Sequence, residues 1–123
     1  MEAGSSTPVM VGLVAVCVLL LGLVLGVGHV ATLSHRAAKA ADLAALAAAD
    51  TQRGLRPGDP CETARRIAEA NGAGLVHCVR VAEHPGVMEV SVQIPLAEIL
   101  APLGPAEGRS RAGPPRDSPE GPP

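Results

Sequence analysis

The sequence predicts a single-pass membrane protein with a long N-terminal α-helix, a very small α+β unit and a disordered tail. Three observations lead to this fold class. Residues 9–33 contain no Lys, Arg, Asp or Glu, residues 34–53 are rich in alanine, and residues 102–123 are rich in proline and glycine. About twenty apolar residues in helical conformation span the hydrocarbon core of a bilayer. The charge-free segment is therefore long enough to cross with some tilt.

The composition limits what the remainder of the chain can build. Phe, Tyr and Trp are absent, although aromatic side chains normally supply the largest blocks of buried area in a core. A unit of about 40 residues without them usually needs a disulfide, a metal or a partner to stay folded. The lack of stacking platforms and the net charge of −2 also give no indication of a nucleic-acid partner.

Residues 1–8 form a short polar lead, and Pro8 suits the first turn of a helix, where its missing N–H costs nothing. The segment 9–33 has three possible interpretations: a retained anchor, a cleaved signal peptide or a lipoprotein signal. A cleaved signal usually has a basic start and a shorter apolar core, but no Lys or Arg precedes Arg36. A lipoprotein needs a small residue before its cysteine, but Val16 precedes Cys17. We therefore predict a transmembrane helix over residues 9–33.

Within this helix, Gly22 and Gly26 have the GxxxG spacing, and Gly28 with Thr32 repeats the small-xxx-small pattern. Such spacing lets two helices approach closely in lipid, although glycine is in any case frequent in membrane helices. His29 lies near the C-terminal end of the segment. It either extends to the membrane surface or marks a helix partner or a proton path.

The alanine-rich segment 34–53 is expected to continue the same helix, since alanine is the strongest helix former. One face of it is charged: His35, Arg36, Lys39, Asp42, Asp50 and Arg53. The opposite face is nearly pure alanine: Ala37, Ala41, Ala44, Ala45 and Ala48. This smooth face either packs closely against another helix or a sheet, or the segment is a rigid spacer. We predict helix packing through Gly22, Gly26, Ala37, Ala41, Ala44 and Ala48.

Residues 54–101 are predicted as the small α+β unit. A glycine- and proline-rich loop, residues 54–60, leads into a helix that Asp59 caps, with Pro60 in its first turn. Glu62 completes the pattern of a capping box. The pair Asn71–Gly72 is typical of a helix C-terminus.

Two β-favouring runs follow, at residues 75–81 and 87–94, separated by a turn at residues 83–86. The second run alternates, with one apolar face and one polar face, and this pattern predicts a half-buried strand. The apolar face consists of Met88, Val90, Val92 and Ile94. We predict one helix on a two-stranded hairpin. Residues 102–123 are predicted to be disordered, because proline- and glycine-rich sequence buries too little apolar surface to offset its chain entropy.

Cys61 and Cys78 bracket the predicted helix and the first strand, so a helix packed on that strand brings them together. We predict a disulfide between them, which would stabilise the unit by about 3 kcal/mol in the loop-entropy model and would require an oxidising compartment. The alternative is two free thiols in a reducing cytoplasm. The four histidines lack the spacing of a metal site. We expect no catalytic residue, no cofactor and no metal, because nothing in so small a unit resembles a pocket with a catalytic arrangement.

Residues 4–114 resemble the TadE/TadG-like proteins of actinobacterial Tad (Flp) pilus and secretion gene clusters, in particular the short helicase/secretion-neighbourhood TadE-like group. The run DLAALA (residues 42–47) and the cysteine pair around EANGA (residues 69–73) carry the resemblance. It implies a minor pilin-like or pseudopilin-like subunit in the cell membrane, with other Tad-type subunits as partners. Members cut by prepilin peptidase typically carry Glu five residues after the cleavage Gly. Val9 holds that place after Gly4, so we expect an unprocessed protein.

The orientation in the membrane and the role of the protein each have two interpretations. Arg36, Lys39 and Arg53 follow the span, and by the positive-inside rule they place the C-terminal part in the cytoplasm. The cysteine pair and the resemblance place it outside the membrane, which is the orientation that we predict. The alternative to a pilin-like subunit is a membrane-tethered regulatory or accessory module that binds another membrane protein through its helix.

Overall fold

The structure of the protein, a computed structural model, describes residues 3–114. Its elements follow in the order α1, α2, β1, β2, a 3₁₀-helix and β3. Their bounds are Ala3–Gln52, Pro60–Ala70, Gly74–Arg80, Met88–Ile94, Glu98–Leu103 and Ala106–Ala112. The chain divides into two compact units, with the boundary between Thr32 and Leu33. They are called here the N-terminal unit and the C-terminal unit.

The N-terminal unit is the first part of α1, and its apolar side chains are exposed all round. From Val9 to Val27 the large apolar side chains are 52–71% exposed. In the part of the chain that the structure describes, α1 is the one helix long and apolar enough to cross a membrane. The predicted long apolar helix is thereby confirmed. It begins earlier than expected, at Ala3, so Pro8 lies inside the helix and not in its first turn.

The C-terminal unit takes its core from the last part of α1. Ala37, Ala41, Ala44 and Ala48 are completely buried, and they belong to one cluster with residues of α2 and the sheet. The alternation of exposed and buried positions follows the helical period. The segment predicted as a juxtamembrane helix is therefore one layer of this small fold, in agreement with the packing interpretation of its alanine face.

Helix α2 is bounded by the signals that the sequence carries. Asp59 is the N-cap, and its carboxylate accepts a hydrogen bond of 2.9 Å from the backbone N–H of Glu62. Gly72 has a φ of 78° and ends the helix in the left-handed region, where the lack of a Cβ removes the strain. The capping box is only half formed, because the Glu62 carboxylate pairs with Arg65.

The sheet is antiparallel, with the order β1-β2-β3. The predicted hairpin of β1 and β2 is confirmed, with a register irregularity between Leu75 and His77. Strand β2 is central and alternates as predicted, with Met88, Val90, Val92 and Ile94 buried. Small side chains of β3 stand beside this apolar face. The pairs are Met88 with Ala112, Val90 with Ser110, Val92 with Gly108 and Ile94 with Ala106.

The prediction of disorder over residues 102–123 is wrong for residues 102–112. This segment completes the 3₁₀-helix and forms β3, so the unit is larger than one helix on a hairpin and continues past residue 101. The described prolines of this segment, Pro102, Pro105 and Pro114, all lie outside the strand. Between them the residues alternate small with charged, and β2 supplies both the hydrogen-bonding edge and the apolar surface. The end of the predicted tail, residues 115–123, lies outside the described residues.

Helix α1 and strand β3 approach each other closely at Gly108. A Cβ built on Gly108 would lie 2.2 Å from the backbone oxygen of Ala37 and 2.4 Å from its carbonyl carbon. Both are far below van der Waals contact, and backbone atoms cannot rotate away as a side chain can. Glycine is therefore required at this position so that α1 can lie directly on β3.

Gly108→Ala is expected to destabilise the C-terminal unit by about 1–3 kcal/mol, the usual cost of overpacking, because the added methyl group separates α1 from β3. Gly74→Ala is the matched control in a strand, since a Cβ there meets only an ordinary contact of 3.9 Å. Pulse proteolysis of the full chain in detergent micelles over a urea series measures both changes. Equal midpoints for the two variants would show that the layers are not in contact at Gly108.

Candidate functional site

The features that the described residues offer for function are surfaces. Among residues 3–114 there is no group of three or more His, Cys, Asp or Glu side chains placed to hold a metal ion. What the fold presents is an apolar helix surface, a buried alanine face, a disulfide and two charged faces. The residues that form these features were recognised in the sequence, except for the residues of β3.

The apolar helix surface carries the glycine pair of the predicted packing motif. A Cβ on Gly22 or Gly26 would meet nothing within 4 Å, so both positions are open to a neighbouring helix. The hydroxyl of Thr32 donates a 2.8 Å hydrogen bond to the carbonyl oxygen of Gly28, which satisfies the polar side chain within the helix itself. This part of α1 can therefore face lipid or another helix without an unsatisfied hydroxyl at Thr32.

The alanine face is occupied by the protein's own core. Ala37, Ala41, Ala44 and Ala48 were predicted as helix-packing residues, and the structure places all four in the cluster beneath the sheet and α2. Of the two surfaces predicted to pack, the one left for another molecule is the glycine pair. The sequence allowed packing on a helix or a sheet, and the structure shows the sheet.

The opposite face of α1 in the C-terminal unit remains exposed. Leu43 and Leu46 are 39% and 52% exposed and lie among the charged residues noted above. Beside them, Ile67 and Asn71 of α2 line the same shallow cleft. This mixed apolar and charged strip is the lateral surface that the C-terminal unit presents along α1.

The disulfide joins the start of α2 to the middle of β1. Cys61 and Cys78 are bonded, with sulfur atoms 2.16 Å apart and Cα atoms 5.8 Å apart. Both side chains also pack against the core cluster. The predicted disulfide is present in the structure, where it ties α2 to the sheet in a fold whose largest fully buried side chains are Val90 and Val92.

The outer face of the sheet is polar and carries a cross-strand ion pair. Arg111 Nε lies 2.5 Å from Glu89 Oε2, and Arg109 Nε donates a 3.2 Å hydrogen bond to Ser91 Oγ. The hydrogen bond from Arg111 lowers the pKa of Glu89 below its ordinary value. These contacts fix the register of β3 on β2, because residues opposite each other on one face are the pairs that interact.

The exposed face of α2 carries a second, smaller ion network. Arg65 lies between Glu62 and Glu69, one turn away on either side. The hydrogen bond with Arg65 lowers the pKa of Glu62, and the same bond raises the pKa of Arg65. Exposed pairs of this kind contribute little to stability, so the face is best described as a solvated surface.

Sequence reasoning missed Gly108, Arg109 and Arg111, because all three lie in the segment predicted to be disordered. A usable signal was present. The run AEGRSRA, residues 106–112, alternates small and charged side chains with the period of a strand. The inward residues of this run are small and give only a weak hydrophobic signal. The surrounding prolines and glycines instead indicated disorder.

A long apolar helix that is a candidate membrane span and a small disulfide-bonded α+β unit are consistent with a single-pass, helix-anchored protein. The comparisons with known proteins agree with this class. Residues 4–51 match the family model described as "Putative Flp pilus-assembly TadE/G-like". Over this segment the chain is similar to the TadE/G-like proteins, and this similarity supports involvement in Flp pilus assembly. The match covers less than half of the chain and ends before α2 and the sheet. Neither the curated proteins nor the solved structures gave a match.

Cys78→Ser is expected to destabilise the C-terminal unit by about 3 kcal/mol, since it opens a loop closed by residues 17 apart. Protease digestion of the full chain in micelles without reductant measures the change. Cys17→Ser is the control, because Cys17 is an exposed free cysteine of the N-terminal unit. Digestion of Cys78→Ser at the rate of this control would mean that the disulfide does not hold the unit together.

Proposed function

We propose that this protein is a minor pilin-like structural subunit of a Tad (Flp) type pilus or secretion apparatus. The observation that carries the proposal is the location of the family match. It covers the apolar helix and most of the alanine-rich helix, residues 4–51, which is the segment that anchors the protein and meets its neighbours. The sheet and α2 then form an outer unit attached to that helix.

The arrangement of packing faces supports a role in assembly. The alanine face is used within the chain, so contacts with other subunits fall to the glycine pair in the N-terminal unit and to the exposed strip around Leu43 and Leu46. Helices in lipid associate through small residues that allow close backbone approach. Gly22 and Gly26 satisfy this requirement, because their surroundings are open. The partners that we propose are helices of other Tad-type subunits or of a second copy.

We further propose that the C-terminal unit lies outside the cytoplasm. The disulfide between Cys61 and Cys78 supports this orientation, because structural disulfides form and persist in oxidising compartments and are rare in the cytosol. The basic residues that follow the span favour the opposite side. We give the disulfide more weight, since the aromatic-free core depends on it.

The pilin-like role predicts that the protein is recovered with surface filaments sheared from cells. Gly26→Leu should reduce that recovery about tenfold or more without lowering the amount in the membrane, because the larger side chain blocks close helix approach. Ala31→Leu is the control, since it lies five residues on, about 140° round the helix, is exposed and belongs to neither small-residue pattern. Immunoblots of sheared and membrane fractions measure both.

Absence of the wild-type protein from the filaments would contradict the pilin-like role. A detergent-stable complex with one defined membrane protein would instead favour an accessory module. Equal recovery of Gly26→Leu and Ala31→Leu would show that the glycine pair is not the packing face.

The proposed orientation predicts that Leu55→Cys, in a Cys17→Ala background, reacts with a membrane-impermeant maleimide in intact cells. Leu55 is 65% exposed and lies in the loop after α1, so its labelling needs no reduction of the disulfide. The same cells opened with detergent give the full extent of labelling. Reaction that occurs only after opening would place the C-terminal unit in the cytoplasm.

A further inference from the structure

We propose that the connection between β2 and β3, residues 95–105, is a second membrane contact that inserts its exposed apolar side chains into the lipid surface. Ile99 and Leu103 are 85% and 69% exposed. Both values exceed that of any other large apolar side chain of the C-terminal unit. The occupant that the position of these side chains indicates is lipid.

The position of this connection follows from the register of the sheet on α1. Gly108 touches the backbone of Ala37, near the beginning of the C-terminal unit. At the other end of the sheet, Gln52 lines one cleft with Arg80 and Met88. Helix α1 therefore runs along the sheet from the Ile94 end of β2 towards its Met88 end.

The residue of α1 that lies beside the start of the connection follows from the strand register. The pair Ile94 and Ala106 lies two residues beyond the pair that contains Gly108, about 7 Å along the strands. That distance corresponds to four or five residues of helix, which leads from Ala37 back to about Leu33. The residues after Ile94 accordingly leave the sheet at the level of Leu33, which also packs against the core cluster.

Leu33 is both the first residue of the C-terminal unit and the last of the charge-free segment 9–33. The membrane surface thus lies close to Leu33 wherever that segment is embedded. Leu96 packs against the core and holds the base of the connection at this end of the unit, while Ile99 and Leu103 are exposed. Burial of two such side chains adds to membrane affinity through the hydrophobic effect.

Depth-dependent quenching of a fluorophore in vesicles tests this contact. The full chain with Leu103→Cys in a Cys17→Ala background, its disulfide intact, is labelled with an NBD maleimide. It is then reconstituted in phosphatidylcholine vesicles that contain lipid with a nitroxide at carbon 5 of the acyl chain. Leu55→Cys is the matched control, because Leu55 is equally apolar and 65% exposed but follows the other end of α1. Ile99→Cys provides a second site in the connection.

We expect the labels at Leu103 and Ile99 to emit at shorter wavelength and to be quenched at least twofold more than the label at Leu55. Quenching equal to that at Leu55 would overturn the proposal. Blue-shifted emission without lipid quenching would overturn it as well, since it would mean that protein covers the connection. In the wild-type chain, the same label attached to the native thiol Cys17 reports on the span. If the label at Cys17 is not quenched, both the membrane anchor and this proposal are contradicted. Neither the quenching at Cys17 nor the quenching at the connection depends on the pilin-like role.

Discussion

The C-terminal unit depends on the close packing of an alanine helix face against a strand of small residues. Without aromatic side chains, buried area cannot come from a few large groups, so the layers must approach closely and bury many small ones. Ala37 and Gly108 show the limit of this strategy, since backbone meets backbone there. The disulfide then ties α2 to the sheet and completes a unit that is small for an independent fold.

Much of this architecture could be predicted because its signals are local. A charge-free segment, an N-capping aspartate, the pair Asn71–Gly72 and the alternation of β2 each specify one element, and the structure contains them all. Strand β3 could not be found in the same way. Its inward residues are Ala106, Gly108, Ser110 and Ala112, which have little hydrophobicity of their own. Their position in the sheet is specified by β2 and α1, which are distant in sequence.

The same limitation applies to the packing faces. The sequence showed that the alanine face suits close approach but not what it meets, because a smooth face accepts a helix or a sheet equally well. Once β3 is in place, the sheet covers the alanine face. The surfaces that remain exposed to other molecules can then be named. They are the glycine pair, the strip around Leu43 and Leu46, and the connection with Ile99 and Leu103. A protein built in this way closes its C-terminal unit with its own residues and leaves the other surfaces of its helix exposed.

The central claim, that the alanine face belongs to the core of the C-terminal unit, is tested most directly by thiol accessibility. Ala44→Cys and Ala38→Cys lie on the same helix, one completely buried and one exposed, and both are made in a Cys17→Ala background. In micelles without denaturant, the account predicts rapid reaction of a maleimide at position 38. It predicts reaction at position 44 only after unfolding. Equal rates at the two positions would show that the segment is a free stalk and would contradict the account.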